Sequence, residues 1–407
     1  MINIPKKILF ILIGIFIVSC TNRNSPIGFP GTSFESHEIV LEYPHFVNIY
    51  TFQDTMHNFP GNTKLILGNY NGADARVLMR FISWPRNART IELDEDPEIT
   101  LFINRRHNPS TFDINVALID TVKKNIFMEN EATWTHFNNN TEWDIKGGDF
   151  HEPPLRSREV NVETDTLRFT IDKSIVHRWM RVTDFRDNFG IIIYSENAKD
   201  SFIEFHSTES APHLRPQIEL KYALPNGNKE TQVMRANFDT FIHNMQPELK
   251  DPFDLRISNI PPRSIYALFN LNYEKFKGVE SKEELRLINV NQAFLIFTVD
   301  QKNTLMTNTR YSLEVAIPFS KPIEVQRTFD FNNMWTYAPV ADSLRAGRMY
   351  LNVTGPIQRI VSGGRENNGI VFRNRQRNQD FSHISLFGLE DELESRPKLL
   401  IRYSVKK

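Results

Sequence analysis

The second half of this chain repeats the first, and no other feature of the sequence constrains its fold as much. The run that begins Arg215-Pro216 and ends at Tyr222 recurs as Arg396-Pro397 ending at Tyr403. Upstream, residues 188–194 answer to 368–372, 167–171 to 350–353, 112–118 to 311–317, and 76–81 to 264–269. Strand propensity alone produces two or three such coincidences. Five in one order imply a duplicated domain. Pro216 and Pro397 stand at the start of their last strands, where a missing amide donor costs least. Arg215 and Arg396 are expected to hold loop carbonyls or a carboxylate at the sandwich edge, and their recurrence in the more divergent copy favours a structural role.

Within each copy, apolar residues come in short alternating or continuous bursts between clusters of Gly, Pro, Asn and Asp, the pattern of antiparallel strands. Residues 174–181 are expected to form a short helix, with Ile175, Val176 and Trp179 on one side. Roughly eight to ten strands in about 180 residues suit a two-sheet sandwich of jelly-roll type. The expected fold is all-β: two tandem antiparallel jelly-roll-like β-sandwiches after a lipoprotein signal peptide. The divisions are 1–19 for the signal, 20–36 for the tether, 37–224 for the first sandwich, 225–230 for a linker and 231–407 for the second sandwich.

The signal rests on Lys6-Lys7, an apolar run over 8–18, and Ser19 before Cys20. A cationic start, about eleven apolar residues and a small residue at the cut describe a secretion signal too short to span a bilayer stably. The sequence 17–20, Ile-Val-Ser-Cys, resembles the lipobox of bacterial lipoproteins. That resemblance implies a diacylglyceryl thioether and an acylated amino terminus on Cys20, with palmitate-like chains in the membrane; each buried methylene adds roughly 0.8 kcal/mol. Thr21 after the cysteine implies, by the same convention, sorting to an outer membrane, with the periplasmic or surface face left open. Residues 21–36 are rich in Asn, Ser, Pro and Gly, the composition of a flexible tether. The expected localisation is therefore the cell envelope.

Composition removes several classes of function. Forty-eight basic residues face 49 acidic ones, so no broad positive field gathers nucleic acid. Cys20 is the one cysteine, which rules out an intramolecular disulfide or a Cys-based zinc site. None of the eleven histidines sits in a His-Glu-x-x-His motif, and the chain has neither a Gly-x-Ser-x-Gly elbow nor a P-loop.

With strands placed, the first copy resembles a DNRLRE-type domain, a family grouped with carbohydrate-binding modules on secreted bacterial proteins. The match is carried by residues 75–81, by Thr133-Trp134 with Trp143 and Gly147-Gly148-Asp149, by 188–194, and by the closing stretch 205–222. It covers about residues 45–224. The resemblance implies a jelly-roll sandwich, and in some members polysaccharide binding. The second copy keeps the Arg-Pro and Tyr ending but lacks the Thr-Trp and Gly-Gly-Asp stretch.

Sugar recognition needs flat apolar faces for ring C–H groups together with amides and carboxylates for hydroxyls. Trp134, His136, Asn138, Asn140, Trp143, Asp144 and Asp149 supply those ingredients in one polar segment and form the candidate site. The same tryptophans fit a core role, pinning a long loop to the sandwich. Asp144 and Asp149 flank Gly147-Gly148, so a turn could gather two carboxylates around Ca²⁺; a solvated acidic turn explains them as well, and no other cofactor is implied. The functional expectation is a non-catalytic envelope lipoprotein that binds polysaccharide through the first sandwich. The alternatives are a structural protein that docks another envelope protein, and a polysaccharide-active enzyme with carboxylates paired only in space.

Overall fold

In the computed structural model of the protein, the alternating bursts become antiparallel strands. The structure describes residues 34–406 apart from 54–61, 86–87, 109–111, 120–125, 153, 160–164, 182–187, 225–226, 245–252, 307–311, 320–333, 337–342, 346 and 376–378. The signal segment, Cys20 and the tether as far as residue 33 lie outside the described residues. Residues 34–36, expected in the tether, already belong to a strand.

Two sandwiches are present, each with its own apolar core. In the first, sheet I runs in the order Asp113–Leu118, Ile191–Tyr194, Ala73–Arg80, Lys64–Tyr70, Ser201–His206. Sheet II contains Thr166–Thr170, Glu98–His107 and Gln217–Ala223. The long strand Glu98–His107 joins the layers: its first half pairs in sheet II, and its second half pairs with Ser201–His206 across a bulge at Glu204/Phe205.

The second sandwich reproduces this order. Sheet III runs Leu313–Pro318, Ile370–Asn374, Arg263–Phe269, Leu255–Ser258, His383–Leu386, and sheet IV contains Arg348–Asn352, Asn289–Thr298 and Lys398–Lys406. A helix follows the equivalent strand in each copy, Lys173–Arg181 in the first and Thr354–Val361 in the second.

The repeated signature has the same geometry twice. Arg215 Nε donates to the Ser210 carbonyl and Arg396 Nε to the Asp391 carbonyl, each at 2.9 Å. Tyr222 donates to Glu230 or Gln232, and Tyr403 to the Lys277 carbonyl. Gly190 and Gly369 both adopt positive φ, where an added Cβ would strike the Met79 carbonyl or the Tyr266 ring.

The hydrogen bonding divides the chain differently from the expected 37–224 and 231–407. Leu224, Gly227 and Asn228 close a hairpin where a linker was expected: Gly227 N donates to the Leu224 carbonyl and Leu224 N to the Asn228 carbonyl. Lys229–Arg235 therefore folds straight back onto Gln217–Ala223, and Phe238–His243 then lies beside Ala73–Arg80 in sheet I. The first two described strands do the converse. Phe34–Leu41 pairs with Lys398–Lys406 in sheet IV, and Phe46–Gln53 pairs with Arg263–Phe269 in sheet III. Each repeat thus opens with two strands that complete the other repeat's sandwich. Leu41, Phe46 and Ile49 sit in the second core, Ala236 and Phe241 in the first.

The sandwiches also meet face to face. Phe381 of the second is fully buried against Phe202 and Tyr70 of the first, with ring centroids 5.0 and 5.6 Å away. Beside it, Lys64 Nζ lies 3.2 Å from Glu204 and 3.3 Å from Asp380, both carboxylates fully enclosed. Asp380 also accepts from Asn259 Nδ2 and from Ser382 N. Removing Lys64 would leave two enclosed carboxylates without their cation, at a cost of about 3–5 kcal/mol.

A fragment spanning 62–244 holds every described strand of the first sandwich, whereas 37–224 lacks two and carries two it cannot use. We expect 62–244 to unfold cooperatively on heating as a monomer, and 37–224 to aggregate or dimerise. A monomeric, cooperatively folded 37–224, measured by calorimetry and light scattering, rules the exchange out.

Candidate functional site

The segment 126–150 lies across the outer face of sheet I. Leu78, Ala117, Ile192, Tyr194 and Ile242 present an apolar patch there, and Phe127, Phe137 and Trp143 cover it. Trp143 is 5% exposed; its ring packs 5.0 Å from Phe137 and its Nε1 donates to the Thr133 carbonyl. Trp134 is half-buried between Gly147 and Arg76. An added Cβ on Gly147 would come within 2.7 Å of its ring, and the Arg76 guanidinium stands 4.8 Å over it while donating to the Gly147 carbonyl. The tryptophans act as the lid of this patch.

The polar residues of the segment brace it. Asp149 is buried, and its two carboxylate oxygens accept from the amides of Asp144 and Ile145 at 2.9 and 2.6 Å. Asn138 Oδ1 accepts from Asn140 N at the tip of a short hairpin, whose His136–Asn138 strand pairs with Thr141–Glu142. His136 contacts Thr135 Oγ1 and Glu142. The Asp144 side chain is exposed, while the Asp149 carboxylate accepts from those amides. Among the described residues, no group of three His, Cys, Asp or Glu side chains is close enough to hold a metal ion.

The open face of sheet IV has a different character. Alternation along Phe34–Leu41 turns Phe34, Ser36, Glu38 and Val40 outward, and Val40 is 48% exposed. Register sets Val40 beside Leu400, Leu400 beside Phe294, and Ile296 beside Tyr350, an apolar row across four strands. The Phe294 and Tyr350 rings meet edge to face at 6.4 Å and both are half-buried. A polar row runs parallel: Glu38 accepts from Arg402 Nε, Arg402 also donates to Gln292, and Asn291 donates to Ser404. Ser36, Glu38, Asn291, Gln292 and Arg402 line a shallow depression of about 450 Å³.

The corresponding face of sheet II is closed by ion pairs: Arg168 with Glu98, Lys221 with Glu95 and Glu219, and Lys229 with Asp94. The two faces have diverged, and sheet IV is the candidate site. Composition hid it, because its residues come from both ends of the chain and the middle, and 34–36 read as tether.

Titratable groups with large shifts lie elsewhere. Burial pushes Asp239 up to about 7, against the pull of Thr208, whose amide and hydroxyl donate to its carboxylate. Burial and the Glu209 charge raise Glu129 to about 7. Asp239 is 2% exposed, enclosed beyond the reach of a substrate. His243 is likewise enclosed; burial holds it down to about 4, and neither ring nitrogen has a hydrogen-bond partner among the described residues.

Two stability measurements check these assignments. Asp149→Ala should cost about 3 kcal/mol by denaturant unfolding, since two charge-assisted amide bonds are lost; an unchanged midpoint would show that the segment does not depend on this brace. His243 stays neutral when folded, so the unfolded chain gains the proton first as pH falls below about 6.5, and stability drops towards the folded value near 4. Between pH 7.5 and pH 5 this one group removes about 2 kcal/mol. His243→Leu should lessen the acid loss by that amount, and equal losses in both proteins contradict the assignment. Comparison of the whole chain with protein-family models, with curated proteins and with solved structures finds no match.

Proposed function

We propose that the protein is a non-catalytic envelope lipoprotein, anchored through Cys20, that binds polysaccharide on the open face of sheet IV. The observation that carries this reading is the pairing of two rows: Val40, Leu400, Phe294 and Tyr350 beside Glu38, Arg402 and Gln292. A pyranose ring is apolar on its C–H faces and polar at its rim, so it needs an apolar surface flanked by fixed donors and acceptors. Glu38, Arg402 and Gln292 hold one another in place, which keeps the ordering cost of binding low. A row across four strands is long enough to meet several sugar units of one chain, and weak contacts then add through avidity.

The anchor fits the same reading. Thirteen residues separate Cys20 from Phe34, and the fourteen steps between them reach at most about 50 Å when fully extended. The edge of sheet IV is therefore the part of the fold to which the tether joins. On this reading binding belongs to the second sandwich, and the Trp134 segment of the first serves stability.

Affinity electrophoresis of the chain from residue 21, against neutral and acidic polysaccharides, tests the proposal. Retardation should fall at least tenfold in Val40→Asp with Phe294→Ala and persist in Trp134→Ala. No retardation by any polymer, or retardation abolished only by Trp134→Ala, defeats the assignment to sheet IV.

A further inference from the structure

The apolar row that crosses sheet IV is a strip with a polar border on each side. Val40, Leu400 and Phe294 lie abreast on three strands, and the strip steps over at Ile296 to reach Tyr350 on the fourth. One border is Glu38, Arg402 and Gln292, continued by Asn352 opposite Phe294. The other begins where Lys398 Nζ meets Glu42 at 2.8 Å and continues through Thr298 and Arg348, which pair beyond Ile296 and Tyr350. Side chains on one face of a strand repeat every second residue, about 7 Å apart, so the strip has the width of one sugar ring. Neighbouring strands lie about 4.8 Å apart, so from Val40 to Tyr350 it runs about 14 Å.

That outline selects a polymer. A pyranose with equatorial substituents has apolar faces and a polar rim. Joined β-1,4, such rings form a flat ribbon that advances by close to one strand spacing per unit. Successive rings are turned over, so secondary hydroxyls and hydroxymethyl groups alternate along each edge, and a surface that holds the ribbon flat needs polar groups on both sides. An α-1,4-linked chain coils and cannot lie along a straight strip. The borders also offer donors: Arg402 Nη1 donates to Gln292 Oε1 and Thr354 N to Asn352 Oδ1, which leaves Gln292 Nε2 and Asn352 Nδ2 without partners among the described residues. Glu38 pairs with Arg402 and Glu42 with Lys398, so most of the charge along the borders is already neutralised.

We propose that the strip takes an uncharged β-1,4-linked glycan lying flat and across the strands, one hexose over each. This rests on the reading that sheet IV binds polysaccharide, and adds the linkage, the charge and the direction of the chain.

Calorimetric titration of the chain from residue 21 with cellobiose, cellotetraose, cellohexaose and maltohexaose tests it. Cellotetraose should bind at least tenfold tighter than cellobiose, cellohexaose little tighter than cellotetraose because the strip is then full, and maltohexaose at least tenfold more weakly than either. A β-1,4-linked hexamannuronate, a ribbon with a carboxylate on every ring, should bind no tighter than cellohexaose. Val40→Asp and Tyr350→Ala lie at opposite ends of the strip, and each should weaken cellotetraose at least fivefold while unfolding stays cooperative. Equal affinity for maltohexaose, no gain from two units to four, tighter binding of hexamannuronate, or a loss in only one of the two variants overturns the proposal and leaves polysaccharide binding by sheet IV in place. So does an absence of saturable heat with the cello-oligosaccharides when another polymer retards the protein in affinity electrophoresis. Retardation by no polymer at all defeats the reading beneath it, and this proposal with it.

Discussion

The architecture depends on the reciprocal exchange of two strands between the repeats. The hairpin at Gly227 leaves Lys229–Arg235 no option but to pair with Gln217–Ala223, and the strand after it fills the place beside Ala73–Arg80. The same two places in the second sandwich are filled from the far end of the chain, by Phe46–Gln53 beside Arg263–Phe269 and by Phe34–Leu41 beside Lys398–Lys406. Each ladder satisfies backbone groups that would otherwise form an open sheet edge or a buried unpaired row. Closing the longest of these loops costs chain entropy that grows only slowly with length, so the arrangement carries a kinetic penalty more than a thermodynamic one.

Exchange alone would leave the sandwiches linked but free to swing. The Lys64, Glu204 and Asp380 group and the ring of Phe381 remove that freedom. Two enclosed carboxylates around one ammonium are worth little as net stability, because desolvation consumes much of the attraction. They tolerate one geometry, however, with Asn259, Ser382 and Asn104 each supplying a donor. Arg105 adds a bond across the junction to the Met306 carbonyl. Sheet IV is consequently held at a fixed orientation to the first sandwich.

Much of this was legible in the sequence. The Arg-Pro and Tyr signature, the glycines after Asn188 and before Ile370, and the helix after 171 all mark real and equivalent places in the two copies. The partition of strands was not legible, since Leu-Pro-Asn-Gly-Asn has the composition of a linker and of a tight turn alike, and only pairing tells them apart. The Trp134 segment misled for a related reason. Tryptophan, asparagine and aspartate build a sugar platform or a braced lid from one composition; Trp143 facing Phe137, and Asp149 capping two amides, decide for the lid. Sheet IV escaped notice because its outward row is assembled from residues 36–40, 291–296, 350 and 400–404, which no window of sequence contains.

The two sandwiches relate to each other as the subunits of a strand-swapped pair would, with each completing its neighbour. Joined in one chain, they no longer share a single set of residues. A symmetric pair can change a surface only by changing it twice, so any groove gained on one side is gained on both. In the fused chain, a substitution falls on one side alone. That freedom accounts for a molecule whose corresponding faces now differ, one laced with ion pairs and the other carrying an apolar row through Phe294 and Tyr350 beside its Glu38–Arg402 pair.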